Sequence, residues 1–238
     1  NITQDNLRAP ALFCMLLAGI LLWLPSSFLH RHVCALLVLT GAAVLMGDGT
    51  ALAFYGVVLA ALACALWLCR QRWASHQQAN RIRALADAAT LMSLLLAAMP
   101  HQQLLTHMFD FQSDLSRHWI KVVYPAGMGI ILLSVVAWLI RDMKGLMRWS
   151  VLGITALVAM LAQPAPGLVL TIALGLALFH ASNRSWLVLL PVFATFYLFV
   201  LYYSLHISLL EKSLLMILCG AILLAGGRLM PRWSRLRT

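Results

Sequence analysis

From Ala51 to Cys69 the chain reads ALAFYGVVLAALACALWLC, an apolar run without a charged residue that stops at Arg70-Gln71-Arg72. A helix needs about 20 largely apolar residues to cross the hydrocarbon core of a bilayer. This run meets that length and is read as a membrane span. Similar runs lie on both sides of it, at Ala9–Leu24, Val33–Met46, Ala84–Met99, Val122–Ile140, Leu146–Ala162, Leu168–His180, Trp186–Tyr203 and Leu209–Gly227. The second and seventh of the nine are short, and each reads as a re-entrant segment or as a helix extended into its loop. Breaker-rich connectors at Gly47-Asp48-Gly49 and Gln163-Pro164-Ala165-Pro166-Gly167 suit turns between antiparallel helices. The expected fold is all-α, a polytopic transmembrane helix bundle of about nine spans forming one domain over residues 1–238.

Composition leads to the same class. Of 238 residues, 63% are hydrophobic and 10% charged, against about half and a quarter in a soluble globular domain. So much apolar surface exceeds what one small soluble core can hide, and the lipid bilayer is the expected surroundings. The net charge of +10 comes in short clusters between apolar runs, with no long basic stripe interleaved with aromatics, so nucleic acid is not an expected partner. Of the 17 Lys and Arg, four (Arg8, Arg117, Lys121 and Lys212) fall on one side of the expected alternation and thirteen on the other. Cytoplasmic loops carry the excess of positive charge, which places the N-terminus outside and the basic C-terminal tail in the cytoplasm. Trp23, Trp67, Trp73, Trp138, Trp149, Trp186 and Trp233 lie near the cytoplasmic ends and read as an interfacial anchor belt. The five cysteines all fall in apolar runs without CxxC spacing, and read as buried, inert thiols rather than a disulfide framework or zinc site.

Few residues suggest chemistry. If the segment from His107 to Lys121 is helical, His107, Asp110, Asp114 and His118 share one stripe, which could hold a divalent metal or relay protons. The plainer reading is an amphipathic helix in the outer interface with a solvated polar face. Asp87 is the most conspicuous carboxylate inside a span. Read in the first turn of its helix and one turn from Arg83, it suits a local salt bridge near the cytoplasmic interface, or a proton or ion pathway. Ser208-Leu209-Leu210-Glu211 fits a capping box, which gives Glu211 a structural role. Lys212 opposes the helix dipole and either snorkels outward or makes a specific polar contact. His180 closes a short helix. A haem would need a second histidine at matching depth, and His30, His32 and His76 read as loop residues, so no cofactor is expected. Gly127 and Gly129 would allow close helix contact, as would Ala221 and Ala225. No phosphate-binding, serine-hydrolase, zinc-protease or dinucleotide fingerprint is present.

The stretch Tyr202-Tyr203-Ser204-Leu205-His206-Ile207-Ser208-Leu209-Leu210-Glu211-Lys212-Ser213, followed by Gly220, Leu223-Leu224 and Arg228, resembles the end of an uncharacterised family of bacterial inner-membrane proteins known as a domain of unknown function. The Tyr-Tyr pair, the Leu-Leu-x-Lys-Ser signature, the Gly and the basic finish carry the resemblance, over about 30 residues. It implies a multi-pass protein of the bacterial inner (plasma) membrane and gives Tyr202, Tyr203 and Lys212 a place in the family pattern, with Glu211 at its variable position. It further implies a membrane-anchored partner, the GDYxxLxY-motif protein often encoded beside such members, and a longer chain of which this is the C-terminal part. It implies no activity. The leading expectation is therefore a non-enzymatic scaffold or subunit of an envelope membrane complex. The alternatives are a small-solute or proton-coupled transporter using Asp87 and Lys212, and a membrane enzyme using the His107–His118 stripe.

Overall fold

A computed structural model describes residues 4–24, 27–46, 49–98, 114–143 and 145–204. Among them every regular element is an α-helix: α1 (Gln4–Trp23), α2 (Phe28–Met46), α3 (Gly49–Leu68), the single turn α4 (Arg70–Trp73), α5 (Ala79–Ala98), α6 (Asp114–Leu139), α7 (Leu146–Leu161), α8 (Pro166–His180) and α9 (Arg184–Ser204). Among the described residues three helical stretches are long and apolar enough to cross a membrane, Phe28–Met46, Ala51–Leu68 and Val122–Leu139. Four more are apolar but shorter, Arg8–Trp23, Leu146–Leu161, Pro166–His180 and Arg184–Phe199. Eight of the nine segments read from the sequence coincide with helices, and the ninth, 209–227, lies outside the described residues.

The chain divides into two compact units, 1–198 and 199–238, and only the end of α9 in the second is described. In the first unit α3 is the hub, packing against α2, α5, α6 and α8. Helix α1 pairs with α2, and α7 lies against α6. Helix α8 fills the space between α3, α5 and α6, and nine of its 15 residues are buried. At 1.5 Å per residue it is only about 22 Å long, short of the roughly 30 Å of a hydrocarbon core. Its setting explains that brevity, because Val169, Leu170, Ala173, Leu174, Ala177 and Leu178 bury themselves against protein. Small residues set the close approaches. A Cβ on Gly127 of α6 would come within 2.6 Å of Val57 on α3, and one on Gly167 of α8 would overlap the ring of Tyr197 on α9. Gly129 meets Ala159 of α7 at ordinary contact distance, 3.6 Å from its own built Cβ. Ala221 and Ala225 lie outside the described residues.

Helix ends are finished by specific groups. Pro166 occupies the first turn of α8, where its missing N–H is no loss. The other end of α8 closes in a Schellman motif: Asn183 N–H returns to Leu178 O at 3.1 Å and Ser182 N–H to Phe179 O at 3.0 Å, with Ser182 at φ 55°. Arg70 donates to the carbonyl of Ala181, and Arg81 donates to that of Trp23 at 2.8 Å, so two members of the basic 70–83 cluster close helices α8 and α1.

Several boundaries and environments differ from the sequence reading. Helix α2 begins at Phe28, five residues before the expected Val33, and α5 begins at Ala79 rather than Ala84. His32 is therefore helical, not a loop residue. Asp87 sits in the third turn of α5, out of reach of the helix N-terminal charge. The expected tryptophan belt also divides. Trp23 and Trp149 are exposed, whereas Trp67 is 1% exposed and donates to Thr90 Oγ1 at 2.9 Å. An indole N–H enclosed in the interior needs such an acceptor. Cys34 and Cys64 are buried, but Cys14 is exposed; Cys219 lies outside the described residues.

Candidate functional site

Helix α5 carries the polar groups that the bundle interior must accommodate. Its first five residues, Ala79-Asn80-Arg81-Ile82-Arg83, keep it out of the apolar class of its neighbours. Further along, Thr90 Oγ1 accepts from Trp67 and donates to Ala86 O at 2.7 Å, while Ser93 Oγ donates to Thr90 O at 2.9 Å. Both hydroxyls are fully buried, and both are satisfied.

Between these two regions lies Asp87, on which three helices converge. Trp186 Nε1, in the first turn of α9, donates to Asp87 Oδ1 at 2.5 Å. His32 Nε2, in the second turn of α2, shares a hydrogen bond with Asp87 Oδ2 at 2.8 Å. Arg83 Nε, one turn earlier on α5, is 3.9 Å from the same oxygen. The side chains of Asp87 and His32 are 12% and 18% exposed, that of Arg83 50%. The local pair expected with Arg83 is thus present at the edge of ion-pair distance, while the short contacts come from residues 55 and 99 positions away. The Phe28 ring completes the corner: its centroid is 4.0 Å from that of His32, and the Arg83 guanidinium lies 5.5 Å over it. The Asp87 carboxylate is thus met by an indole N–H on one oxygen and by an imidazole nitrogen and a guanidinium on the other.

A second polar feature lies where α3, α6 and α8 end. Leu68, Cys69, Arg72, Trp138, Arg141 and His180 are among the residues lining a cavity of about 180 Å³. His180 packs edge-on against Trp138 with centroids 5.0 Å apart, and Arg141 lies 4.9 Å over the same indole. Arg141 also approaches Asp142 at 3.8 Å, but both side chains are more than half exposed, so the pair contributes little.

The remaining sequence candidates are only partly placed. His107, Asp110, Glu211 and Lys212 lie outside the described residues. Asp114 and His118 fall in the first turns of α6, which runs without interruption into the Val122–Leu139 stretch, so 114–121 extends that helix. Tyr202 and Tyr203 continue α9. The side chains of these four are likewise outside the description. Among the described residues no three His, Cys, Asp or Glu side chains come together as a metal site.

The sequence reading missed His32 and Trp186. His32 stands in the polar run His30-Arg31-His32, which imitates a loop, and Trp186 sits where a tryptophan ordinarily anchors an interface. No local spacing links either to Asp87. A family model described as a domain of unknown function (DUF4401) matches residues 2–233, far beyond the C-terminal stretch that carries the resemblance. No curated protein and no solved structure matches the chain.

Proposed function

Because the chain belongs to the DUF4401 family, whose description names no activity, we propose from its own chemistry that it is a non-enzymatic membrane subunit, a scaffold within a bacterial envelope complex. The observation that carries this reading is the filled interior: where α3, α5, α6 and α8 meet, the described residues pack as one apolar cluster around the buried face of α8. Polar side chains of that region, Trp67, Thr90 and Ser93, are hydrogen-bonded within the protein, and a cavity lies instead at the helix ends. At the periphery α7 buries only Ala159 and presents Leu146, Trp149, Ile154, Leu157, Met160 and Leu161 outward, a surface for lipid or a neighbouring subunit. The distribution of Lys and Arg supports nine spans in the inner membrane, with the N-terminus outside and the C-terminus in the cytoplasm. The partner this reading favours is the membrane-anchored GDYxxLxY-motif protein. Co-expression followed by purification in mild detergent tests it, with co-elution at fixed stoichiometry expected. Elution of the 26.3 kDa chain alone overturns it.

A second reading, a proton-coupled transporter of small solutes, is favoured by the 2.8 Å contact between Asp87 and His32, side chains of the kind that relay protons. Asp87 and Lys212 would then serve the pathway. Solute-driven proton uptake by proteoliposomes, abolished in Asp87→Asn with Lys212→Met, is its expected signature. Uptake that survives both changes removes the mechanism.

A further inference from the structure

His32 is held with both ring nitrogens facing oxygen. Nδ1 lies 2.8 Å from the backbone carbonyl of Phe28, and Nε2 lies 2.8 Å from Asp87 Oδ2. A carbonyl oxygen only accepts, so Nδ1 carries the hydrogen of that bond. A neutral imidazole has a single N–H, and an ionised carboxylate also only accepts. Neutral His32 with ionised Asp87 therefore has no hydrogen to place between Nε2 and Oδ2. The contact requires one additional proton, either on Nε2 as an imidazolium or on Oδ2 as a carboxylic acid donating to the ring.

We propose that His32 and Asp87 form a binding site for one proton, and that its occupancy decides whether a hydrogen bond fastens the first turns of α2 to α5. With the proton bound, a charge-assisted hydrogen bond links the two helices. When it leaves, it passes to water at the partly exposed edge of the pair, and a ring lone pair then faces a carboxylate across 2.8 Å. That arrangement is repulsive, and the link opens. Asp87 keeps its partner on α9 throughout, because Trp186 Nε1 is a fixed donor. The site thus loosens the first turns of α2 while leaving α5 and α9 joined, the rest of α2 staying packed on α1 and α5.

The surroundings leave these two side chains as the exchanging pair. On α5, Arg83 remains charged and 3.9 Å from Oδ2. On α2, His30 is turned to Cys34 Sγ at 3.4 Å, and no described partner meets the enclosed Nε of Arg31, which also remains charged. Helix α9 contributes Trp186 and, two residues before it, the exposed Arg184. From α3, Tyr55 donates to Leu39 O and Trp67 to Thr90, both directed elsewhere. From α8, the one histidine, His180, packs on Trp138. In α1, Arg8 stands fifteen residues before Trp23, whereas His32 follows the turn just after it.

The test uses the full chain in lipid nanodiscs with nitrogen-15-labelled histidine, the His32 signals being assigned by their loss in His32→Gln. The expected result is a His32 ring with both nitrogens protonated, or with a hydrogen-bonded Nδ1–H tautomer beside protonated Asp87, on the acid side. As pH rises, amide exchange over residues 28–35 should accelerate about tenfold relative to residues 60–66, in proportion to one lost charge-assisted bond. Asp87→Asn keeps an acceptor for Trp186 and supplies an N–H to neutral Nε2, so the step should vanish. A His32 ring in the Nε2–H neutral tautomer at every pH overturns the proposal, as does an unchanged step in a folded Asp87→Asn variant. If that variant does not fold, the wild-type ring signals decide alone.

Discussion

Trp186 Nε1 donates to Asp87 Oδ1 across 2.5 Å, joining the first turn of α9 to the third turn of α5. A hydrogen bond to a charged, mostly buried carboxylate is worth about 1.5–3 kcal/mol. Trp186→Phe keeps the ring bulk and removes the donor, so it should lower unfolding stability in detergent by about that amount. Asp87→Asn retains an acceptor there and should cost less. A double-mutant cycle on thermal unfolding checks both, since the coupling belongs to this contact only if the paired change is less than additive.

Deeper in the bundle, Thr90→Val should be costly although it is nearly isosteric. It strands the Nε1 of Trp67, a side chain 1% exposed, without its acceptor. An unsatisfied buried donor costs about 1–3 kcal/mol. Trp67→Phe made in the Thr90→Val background removes the stranded group and should recover part of the loss, as read by a second thermal melt.

Gly127→Ala should destabilise a helix that alanine normally favours. The added methyl would lie 2.6 Å from Val57 Cγ2 and 2.7 Å from its Cγ1, and overpacking of this kind costs about 1–3 kcal/mol. Val57→Ala in the same chain should restore the fit. Stability of the double variant above that of Gly127→Ala alone is the outcome that identifies contact between α3 and α6 as the cause.

Ser182→Gly should stabilise. Ser182 holds the left-handed position of the α8 Schellman motif at φ 55°, where a Cβ is unfavourable. Glycine relieves that strain but gains freedom in the unfolded chain, so the net gain should be about 0.5–1 kcal/mol. A raised melting midpoint with unchanged helicity is the expected measurement; an unchanged or lowered midpoint counts against the strain.

The helical class was legible because it depends on local apolar length, and the 51–69 run alone states it. What the sequence concealed is what crosses between helices. His32 read as a loop residue because its polarity is met in the folded chain by Asp87, 55 residues beyond it. Trp67 read as an interface anchor because its acceptor, Thr90, lies on another helix. Asp87 itself stood out, since a carboxylate in an apolar run is costly. Its nearest sequence neighbour of opposite charge, Arg83, was the natural partner to choose. The geometry ranks that neighbour last of three, because helical spacing brings two side chains near each other without aligning them.

The burial of Ala173 and Ala177, one turn apart on α8 and both fully enclosed, gives that helix the part of a gauge block. Methyl groups rather than long aliphatic chains set how far the surrounding backbones stand from its axis. The girth of the bundle at that level is therefore dictated by its smallest side chains. Enlarging either would be felt at once on several sides, since a close-packed interior transmits displacement instead of absorbing it.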